Sequence, residues 1–195
     1  TEHVHKALEY QSVLFHYFLD DKNGGFFFTP SDAEALLMRP KELYDGAIPS
    51  GNSVAFMNAL RLSRMTGDAG MDKRVNDIYK AFRTQVDAMP SAFTQFLCGL
   101  DFAIGPSSEV IIAGEMNQPD TQTLITALRK NFVPNKIVIF RPQNEAAPDI
   151  ETIAPLMQSH SAINGKATAY VCNNFTCAQP TNDPQQMLEL LNIKK

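Results

Sequence analysis

The spacing of apolar residues changes at Gly105-Pro106, and this change divides the chain into two parts. Before it, apolar residues recur at intervals of three and four, which is typical of amphipathic helices. The clearest run consists of Met71, Val75, Ile78, Tyr79, Phe82, Val86 and Met89. After it, short continuous apolar runs alternate with helical stretches. We therefore predict an α/α-hairpin array over residues 1–105 and a small α/β unit over residues 106–195.

Four helices are predicted in the first part, over residues 1–19, 51–66, 71–88 and 91–104. Ser50 is a good N-cap for the second helix, and Gly67 suits the left-handed residue that ends it. Apolar residues surround the first turns of this helix, which predicts burial on several sides. The run Phe26-Phe27-Phe28-Thr29 predicts a short strand. Short connections between the last three helices predict antiparallel neighbours.

Strands are predicted at residues 109–114, 136–140 and 167–172 of the second part. A helix beginning near Asp120 separates the first two strands, so they form a βαβ unit, which is normally parallel and right-handed. We expect a parallel three-stranded sheet. Asp183-Pro184 predicts the start of a last helix. The loop after the first strand lacks the glycine pattern and lysine of nucleotide-binding loops, which favours a structural sheet.

Composition and charge exclude several classes of function. The chain has 195 residues, 44% of them hydrophobic, and a net charge of −4, which argues against a nucleic-acid partner. No apolar stretch reaches the roughly 18 residues of a membrane helix. Three cysteines without a framework pattern favour a reducing compartment, and we expect a cytoplasmic protein without cofactor or metal. Since the chain begins with Thr1 in a helical pattern, we expect its native N-terminus to lie elsewhere.

Three segments in a particular order carry a resemblance to a known family. They are residues 24–29 followed by Arg39-Pro40-Lys41-Glu42, residues 45–54 (DGAIPSGNSV), and residues 167–184 with Cys172 and Cys177. Together they resemble the C-terminal third of the spermatogenesis-associated, thioredoxin-domain-containing family. The resemblance implies an α/α toroid related to six-hairpin glycosidase and N-acylglucosamine 2-epimerase-like folds. It also implies a thioredoxin-like domain with a CxxC pair N-terminal to this segment, which here has no such pair.

The predicted helices are too few to close a toroid, so the resemblance implies a partial ring. The N-terminal remainder of the same protein is then the expected partner. An exposed apolar face and self-association follow as expectations. Independent enzymatic activity is not predicted, although the resemblance leaves it open.

A polar loop before the second helix is the first candidate site. Asp45, Ser50 and Asn52 offer a carboxylate, a hydroxyl and an amide at a helix start, which suits a small polar or carbohydrate-like ligand. Neighbouring residues that could join such a rim are Arg39, Lys41, Glu42 and Tyr44. The alternative is that the loop residues serve as caps and turns. The absence of Trp and of a catalytic histidine motif favours a structural and interaction module that supports the redox domain.

Cys172 and Cys177 form the second candidate site, with C-x4-C spacing beside a strand. A redox pair or half of a metal site would be compatible with this spacing. Without a second Cys/His pair, we favour two reduced cysteines, with Cys172 partly buried at a strand end. Cys98, on a helix between Leu97 and Leu100, is predicted to lie in the core.

Overall fold

A computed structural model describes residues 1–146 and 148–192, which form two compact units. The first unit consists of Thr1–Ser63 and Asp68–Ile104. The second consists of Arg64–Gly67 together with the described residues from Gly105 onward. The mixed α and β architecture predicted from the sequence is confirmed, with seven α-helices and a four-stranded sheet in the described part.

Helices dominate the first unit, close to where the sequence predicts them. They are α1 (Glu2–Tyr17), α2 (Gly51–Thr66), α3 (Ala69–Ala88) and α4 (Thr94–Ile104), with a 3₁₀ turn at Pro90–Ala92. Ser50 caps α2, since its hydroxyl accepts a hydrogen bond from the Ser53 N–H at 3.1 Å. Gly67 ends it with a φ of 75°. A toroid is not established by these four helices and stays a prediction.

The core of the first unit is aromatic. Phe56 and Phe96 stack with ring centroids 4.4 Å apart, and Phe82 meets Phe96 edge-on at 6.2 Å. Gly99 lets α4 approach α2, because a Cβ at this position would lie 2.6 Å from the Phe56 ring. α2 buries one broad face rather than its whole first turns, since Val54 is 40% exposed.

The predicted strand at residues 26–29 is wrong. Phe26 forms an isolated bridge with Leu19, and its backbone N–H and carbonyl are both taken by the Asn52 side chain. Phe28 donates its N–H to the Pro40 carbonyl at 2.8 Å. The long connection from α1 to α2 is therefore an irregular segment held by individual hydrogen bonds rather than by a strand ladder.

The second unit contains a mixed sheet of four strands in the order β2-β1-β3-β4. The strands are β1 (Ser108–Gly114), β2 (Lys136–Pro142), β3 (Thr168–Asn173) and β4 (Thr176–Cys177). β1 and β2 are parallel, as predicted. β3 is antiparallel to both β1 and β4, so the expected parallel three-stranded sheet is wrong.

The direction of β3 follows from the connection that precedes it. A parallel return needs a crossover that runs the length of the sheet, usually a helix. Within the described part of this connection, the helices are α6 (Ile150–Ile153) and a 3₁₀ turn at Pro155–Ser159. A four-residue helix spans about 6 Å, far less than a seven-residue strand of about 23 Å.

The two faces of β1 have different surroundings. Val110 and Ile112 face a core formed with α5 (Pro119–Lys130) and α7 (Pro184–Leu190). Glu109 and Ile111 alternate with them and border a cavity on the opposite face. Among the described residues, no helix combines the length and the apolar character that crossing a membrane requires.

Candidate functional site

Asp45 lies at the centre of the predicted polar rim and accepts four hydrogen bonds from the protein. Its donors are the Ser50 N–H at 2.8 Å, the Ser53 hydroxyl at 3.0 Å, the Gln95 N–H at 2.9 Å and the Phe96 N–H at 3.1 Å. Gln95 and Phe96 belong to the first turn of α4, whose unpaired N–H groups favour a negative charge. This buried carboxylate therefore caps α4 from about fifty residues upstream.

Asn52 is occupied in a similar way. Its side-chain oxygen accepts the Phe26 N–H at 2.7 Å, and its amide nitrogen donates to the carbonyls of Phe26 at 2.9 Å and Glu42 at 2.7 Å. An amide that pairs with both backbone groups of one residue imitates a neighbouring strand. Asn52 thus fixes two separate points of the irregular segment to the start of α2.

Lys41 and Arg39 also bind within the segment. Lys41 pairs with Asp20 at 2.8 Å and donates to the Gly24 carbonyl at 2.9 Å. Burial pushes the pKa of Asp20 upward, but the hydrogen bonds from Lys41 and from nearby backbone N–H groups outweigh it and hold the pKa well below its usual value. The Arg39 guanidinium lies 4.2 Å from the centroid of the Phe27 ring and donates to the Thr29 carbonyl at 2.6 Å.

The structure brings most of the predicted rim residues together around the start of α2. Asp45, Ser50 and Asn52 are buried there, whereas the side chains of Glu42 and Tyr44 are exposed. The side chains of Asp45, Ser50 and Asn52 are already hydrogen-bonded within the protein. Ligand binding at this rim stays a prediction.

The two cysteines of the second candidate site are joined in a disulfide, contrary to the expectation of reduced thiols. They lie directly opposite each other on β3 and β4. A two-residue turn at Asn174-Phe175 connects the strands, and both turn residues have positive φ. Ala178 donates its N–H to the Val171 carbonyl, so these two residues form a hydrogen-bonded pair of the hairpin. The cysteines are therefore the adjacent non-hydrogen-bonded pair, in which opposite side chains lie closest.

The expected burial of the cysteines is also wrong. Cys172 is 2% exposed and so fully buried rather than partly buried, because both of its neighbours on β1 and β4 cover it. Cys177, on the short edge strand, is exposed. Cys98 is an exposed free cysteine on α4, since Phe96 and Gly99 form the buried face of that turn.

His160 stands beside the disulfide, with its Nε2 atom 3.8 Å from the Cys177 sulfur. Its Nδ1 atom lies 3.0 Å from the Leu156 carbonyl, which can only accept, so Nδ1 carries the hydrogen and Nε2 has a free lone pair. Tyr170 packs edge-on against the imidazole ring at 4.7 Å. Burial lowers the pKa of His160, and the charge of Arg141 acts in the same direction.

A cavity of about 290 Å³ opens next to this cluster. Its lining residues are Glu109, Ile111, Leu156, Ser159, His160, Cys172, Phe175 and Cys177. Glu109 is buried on β1 opposite Cys172, and burial raises the pKa of its carboxyl group. A hydrogen bond from the Phe175 N–H and the Arg64 guanidinium 3.7 Å away act against this rise.

The sequence reasoning missed His160, Glu109 and Arg64 as members of this site. No local signal connects them to the cysteines, because His160 and Glu109 line the cavity from different parts of the chain and Arg64 only pairs with Glu109. A signal for the pairing itself was present in Asn174, the first residue of the turn, since asparagine favours the positive φ of a two-residue hairpin turn. Two cysteines placed symmetrically about such a turn must face each other.

Metal-binding potential in the described residues is greatest at this cluster, where donor atoms of His160, Cys172 and Cys177 lie within 4.8 Å of one another. Metals bind the thiolate form of cysteine. The two sulfurs are bonded to each other here and offer no thiolate.

The chain is a mixed α/β protein. Its described part contains a polar loop in which Asp45 and Asn52 are hydrogen-bonded within the protein, and a β-hairpin that is closed by a disulfide. No protein-family model matches it. It is similar to spermatogenesis-associated protein 20 of Homo sapiens, with 31% identity over 188 residues, which are 95% of this chain and 24% of that protein. The Mus musculus protein of the same name is 30% identical over 188 residues, which are again 95% of this chain and 24% of that protein. An uncharacterized Caenorhabditis elegans protein, B0495.5, is 25% identical over 98% of this chain and 25% of its own length.

The similarity extends over nearly the whole chain and supports the family resemblance carried by residues 24–54 and 167–184. The chain spans about a quarter of the length of the curated relatives it matches.

Proposed function

We propose that this chain is a structural and interaction module of a longer protein of the spermatogenesis-associated protein 20 type. The observation that carries the proposal is an apolar surface on residues 28–48. Six large apolar side chains are exposed within this stretch: Phe28, Leu36, Leu37, Met38, Tyr44 and Ile48. Concentrated exposed apolar residues mark interaction sites more often than isolated ones do.

Hydrogen bonds attach this apolar segment to the rest of its unit. Arg39 donates to the Tyr17 carbonyl at 3.4 Å, Asn52 binds the Glu42 carbonyl, and the Asp45 N–H donates to the Ala92 carbonyl. The side chains around them are thereby presented in a defined arrangement rather than on a free loop. A preorganised surface loses less conformational entropy when a partner binds.

The occupant of the apolar segment is the remainder of the longer protein. About three quarters of the relatives' length lies outside the matched region, which is ample to cover a surface of this size. The family resemblance implies helices of a toroid and a thioredoxin-like domain among the missing parts. The module would complete the ring and position that domain.

A small polar or carbohydrate-like ligand is the second candidate function. It is favoured by a cavity of about 490 Å³ beside Asp20 and Gly24, lined largely by charged side chains including Lys73, Arg74 and Asp77. The internal pairing of Asp45 and Asn52 argues against the rim itself. A thermal-shift screen with neutral and phosphorylated sugars tests this candidate on the parent chain and an Arg74→Ala variant.

The interaction proposal is tested by mixing the chain with the separately produced remainder of the longer protein. We expect a one-to-one complex by titration calorimetry, weakened about tenfold or more when Leu37 and Met38 are replaced by Asp. Phe132→Asp is the matched control, because Phe132 is 90% exposed in the other unit. Absence of a complex, or equal weakening by the control, would overturn the proposal.

A further inference from the structure

The disulfide hairpin of the second unit places its two sulfurs in unlike environments. Cys172 is fully buried on an inner strand, whereas Cys177 is exposed on the edge strand β4. An attacking thiolate therefore reaches the exposed Cys177 more readily than the buried Cys172. This asymmetry, with one accessible and one protected sulfur, suits a pair in which one cysteine exchanges with a partner and the other resolves the intermediate.

The orientation of His160 adds a base to the accessible sulfur. The Leu156 carbonyl holds the hydrogen on Nδ1, and Tyr170 fixes the ring plane, so the Nε2 lone pair points toward Cys177 at 3.8 Å. Burial lowers the pKa of His160, which keeps the imidazole neutral at neutral pH and able to accept a proton. A histidine in this position activates a cysteine nucleophile.

The adjoining cavity defines what could approach the sulfurs. Ile111, Leu156 and Phe175 give it apolar walls, and its volume of about 290 Å³ is enough for one or two side chains. Glu109 is buried at its base near Cys172 and disfavours negative charge there. A dithiol or disulfide whose neighbouring residues are apolar therefore fits this cavity better than one whose neighbouring residues are acidic.

We propose that Cys172 and Cys177 form a thiol–disulfide exchange site, with Cys177 as the exchanging sulfur, Cys172 as the resolving sulfur and His160 as the base for Cys177. The partner is a dithiol peptide or protein with apolar residues beside its cysteines. This inference is independent of the interaction surface on residues 28–48, which belongs to the other unit.

Exchange proceeds in two balanced steps. A thiolate of the dithiol attacks the Cys177 sulfur, the bond between the two cysteines breaks, and the Cys172 sulfur leaves with the electron pair and takes up a proton. The second thiol of the partner then gives its proton to Nε2 of His160, its thiolate attacks the partner's own first sulfur, and Cys177 is released as a thiolate that takes this proton from Nε2. Two electrons and two protons pass to this protein, and the partner leaves as a disulfide. In the reverse direction Nε2 accepts the Cys177 proton as its sulfur attacks.

The experiment compares the reactivity of Cys177 in the folded chain with and without His160. The chain is reduced with dithiothreitol in the presence of a metal chelator, and iodoacetamide modification of each cysteine is followed by mass spectrometry. Cys98, an exposed free cysteine in the other unit, is the internal reference. We expect His160→Phe to slow modification of Cys177 about tenfold or more at neutral pH and to leave Cys98 unchanged.

A pH profile distinguishes the base from a structural role. The difference between parent and His160→Phe should vanish as pH rises above about 8.5, where a thiol ionises without help. The other charged or titratable groups around His160 are Glu109, Arg141 and Tyr170, with Arg64 paired to Glu109. Glu109→Gln should keep the profile of the parent, since it retains both the base and the thiol.

A trapping variant identifies the exchanging sulfur even if His160→Phe folds poorly. Cys172→Ser removes the resolving thiol, so a peptide with a single cysteine, activated as a mixed disulfide with a small thiol, should accumulate on Cys177. The proposal is overturned if the disulfide resists dithiothreitol until the chain unfolds, if Cys177→Ser traps the peptide on Cys172 instead, or if His160→Phe leaves the rate at Cys177 unchanged.

Discussion

At the scale of single residues, Asp45 has the greatest expected effect on stability. Asp45→Ala leaves the N–H groups of Ser50, Gln95 and Phe96 without their acceptor in a buried setting. Each unsatisfied buried donor costs on the order of 1–3 kcal/mol, with partial relief from water. We expect a loss of about 3 kcal/mol in the free energy of unfolding, measured by urea titration.

Glu42→Ala provides the control for this prediction. The Glu42 side chain is exposed. Asn52 donates to the Glu42 backbone carbonyl, which the substitution retains. Its effect should stay within about 0.5 kcal/mol. Equal losses in the two variants would show that Asp45 does not organise the helix start.

Asp20 gives a prediction about pH. Because its pKa in the folded protein is lowered from 3.8, its stabilising contribution is present above that pH and is lost as the pH falls below it. Asp20→Asn should therefore be less stable than the parent at neutral pH. The difference in stability between the parent and Asp20→Asn, measured by thermal unfolding, should narrow as the pH falls from about 5 to about 2. A gap independent of pH would contradict the assigned role of the Lys41–Asp20 pair.

The sequence reveals residue roles where partners are close along the chain. Ser50 as a cap and Gly67 as a helix end were predictable because each role depends on its own helix. The pairing of Asn52 with Phe26, twenty-six residues away, was not, since an asparagine beside a helix start is equally typical of a local cap. The contact could not be predicted because the two residues are far apart along the chain, not because the chemistry of asparagine is unsuited to it.

At the scale of elements, the packing of α2 on α4 depends on Gly99. Gly99→Ala places a methyl group against the Phe56 ring, which is already stacked on Phe96 and has no free direction in which to move. Overpacking of this kind costs on the order of 1–3 kcal/mol, and we expect about 2 kcal/mol by chemical denaturation.

Gly51→Ala is the matched control, because a Cβ at Gly51 meets nothing within 4 Å. Alanine stabilises a helix relative to glycine, so this variant should be neutral or slightly more stable. If Gly99→Ala behaved like Gly51→Ala, close approach of the two helices would not be required for stability.

The helices and strands that could be predicted are those in which apolar residues recur at a regular spacing. α3 and the βαβ pair of β1 and β2 follow directly from the spacing of apolar residues. The antiparallel direction of β3 and the existence of β4 could not be predicted from that spacing, since a strand's pattern is the same in either direction. They depend on the connection before β3 and on the turn at Asn174-Phe175.

At the scale of the whole molecule, the proposed interface on residues 28–48 and the proposed exchange site belong to different units, and the partners that we propose for them differ. The apolar segment of residues 28–48 requires a large covering surface, whereas the disulfide hairpin requires a small flexible dithiol. Neither function depends on the other. The two proposals together describe a chain whose helical unit acts as a scaffold and whose α/β unit reacts with thiols.

The exposed apolar segment predicts concentration-dependent self-association of this chain when the remainder of the longer protein is absent. Uncovered apolar side chains at Leu36, Leu37 and Met38 gain by removing one another from water. In sedimentation velocity over a range of concentrations, we expect a sedimentation coefficient that rises for the parent and stays constant for Leu37→Asp. Adding the remainder of the longer protein should abolish self-association, because both compete for one surface. A parent that stays monomeric at every concentration would contradict the assignment of this segment as an interface.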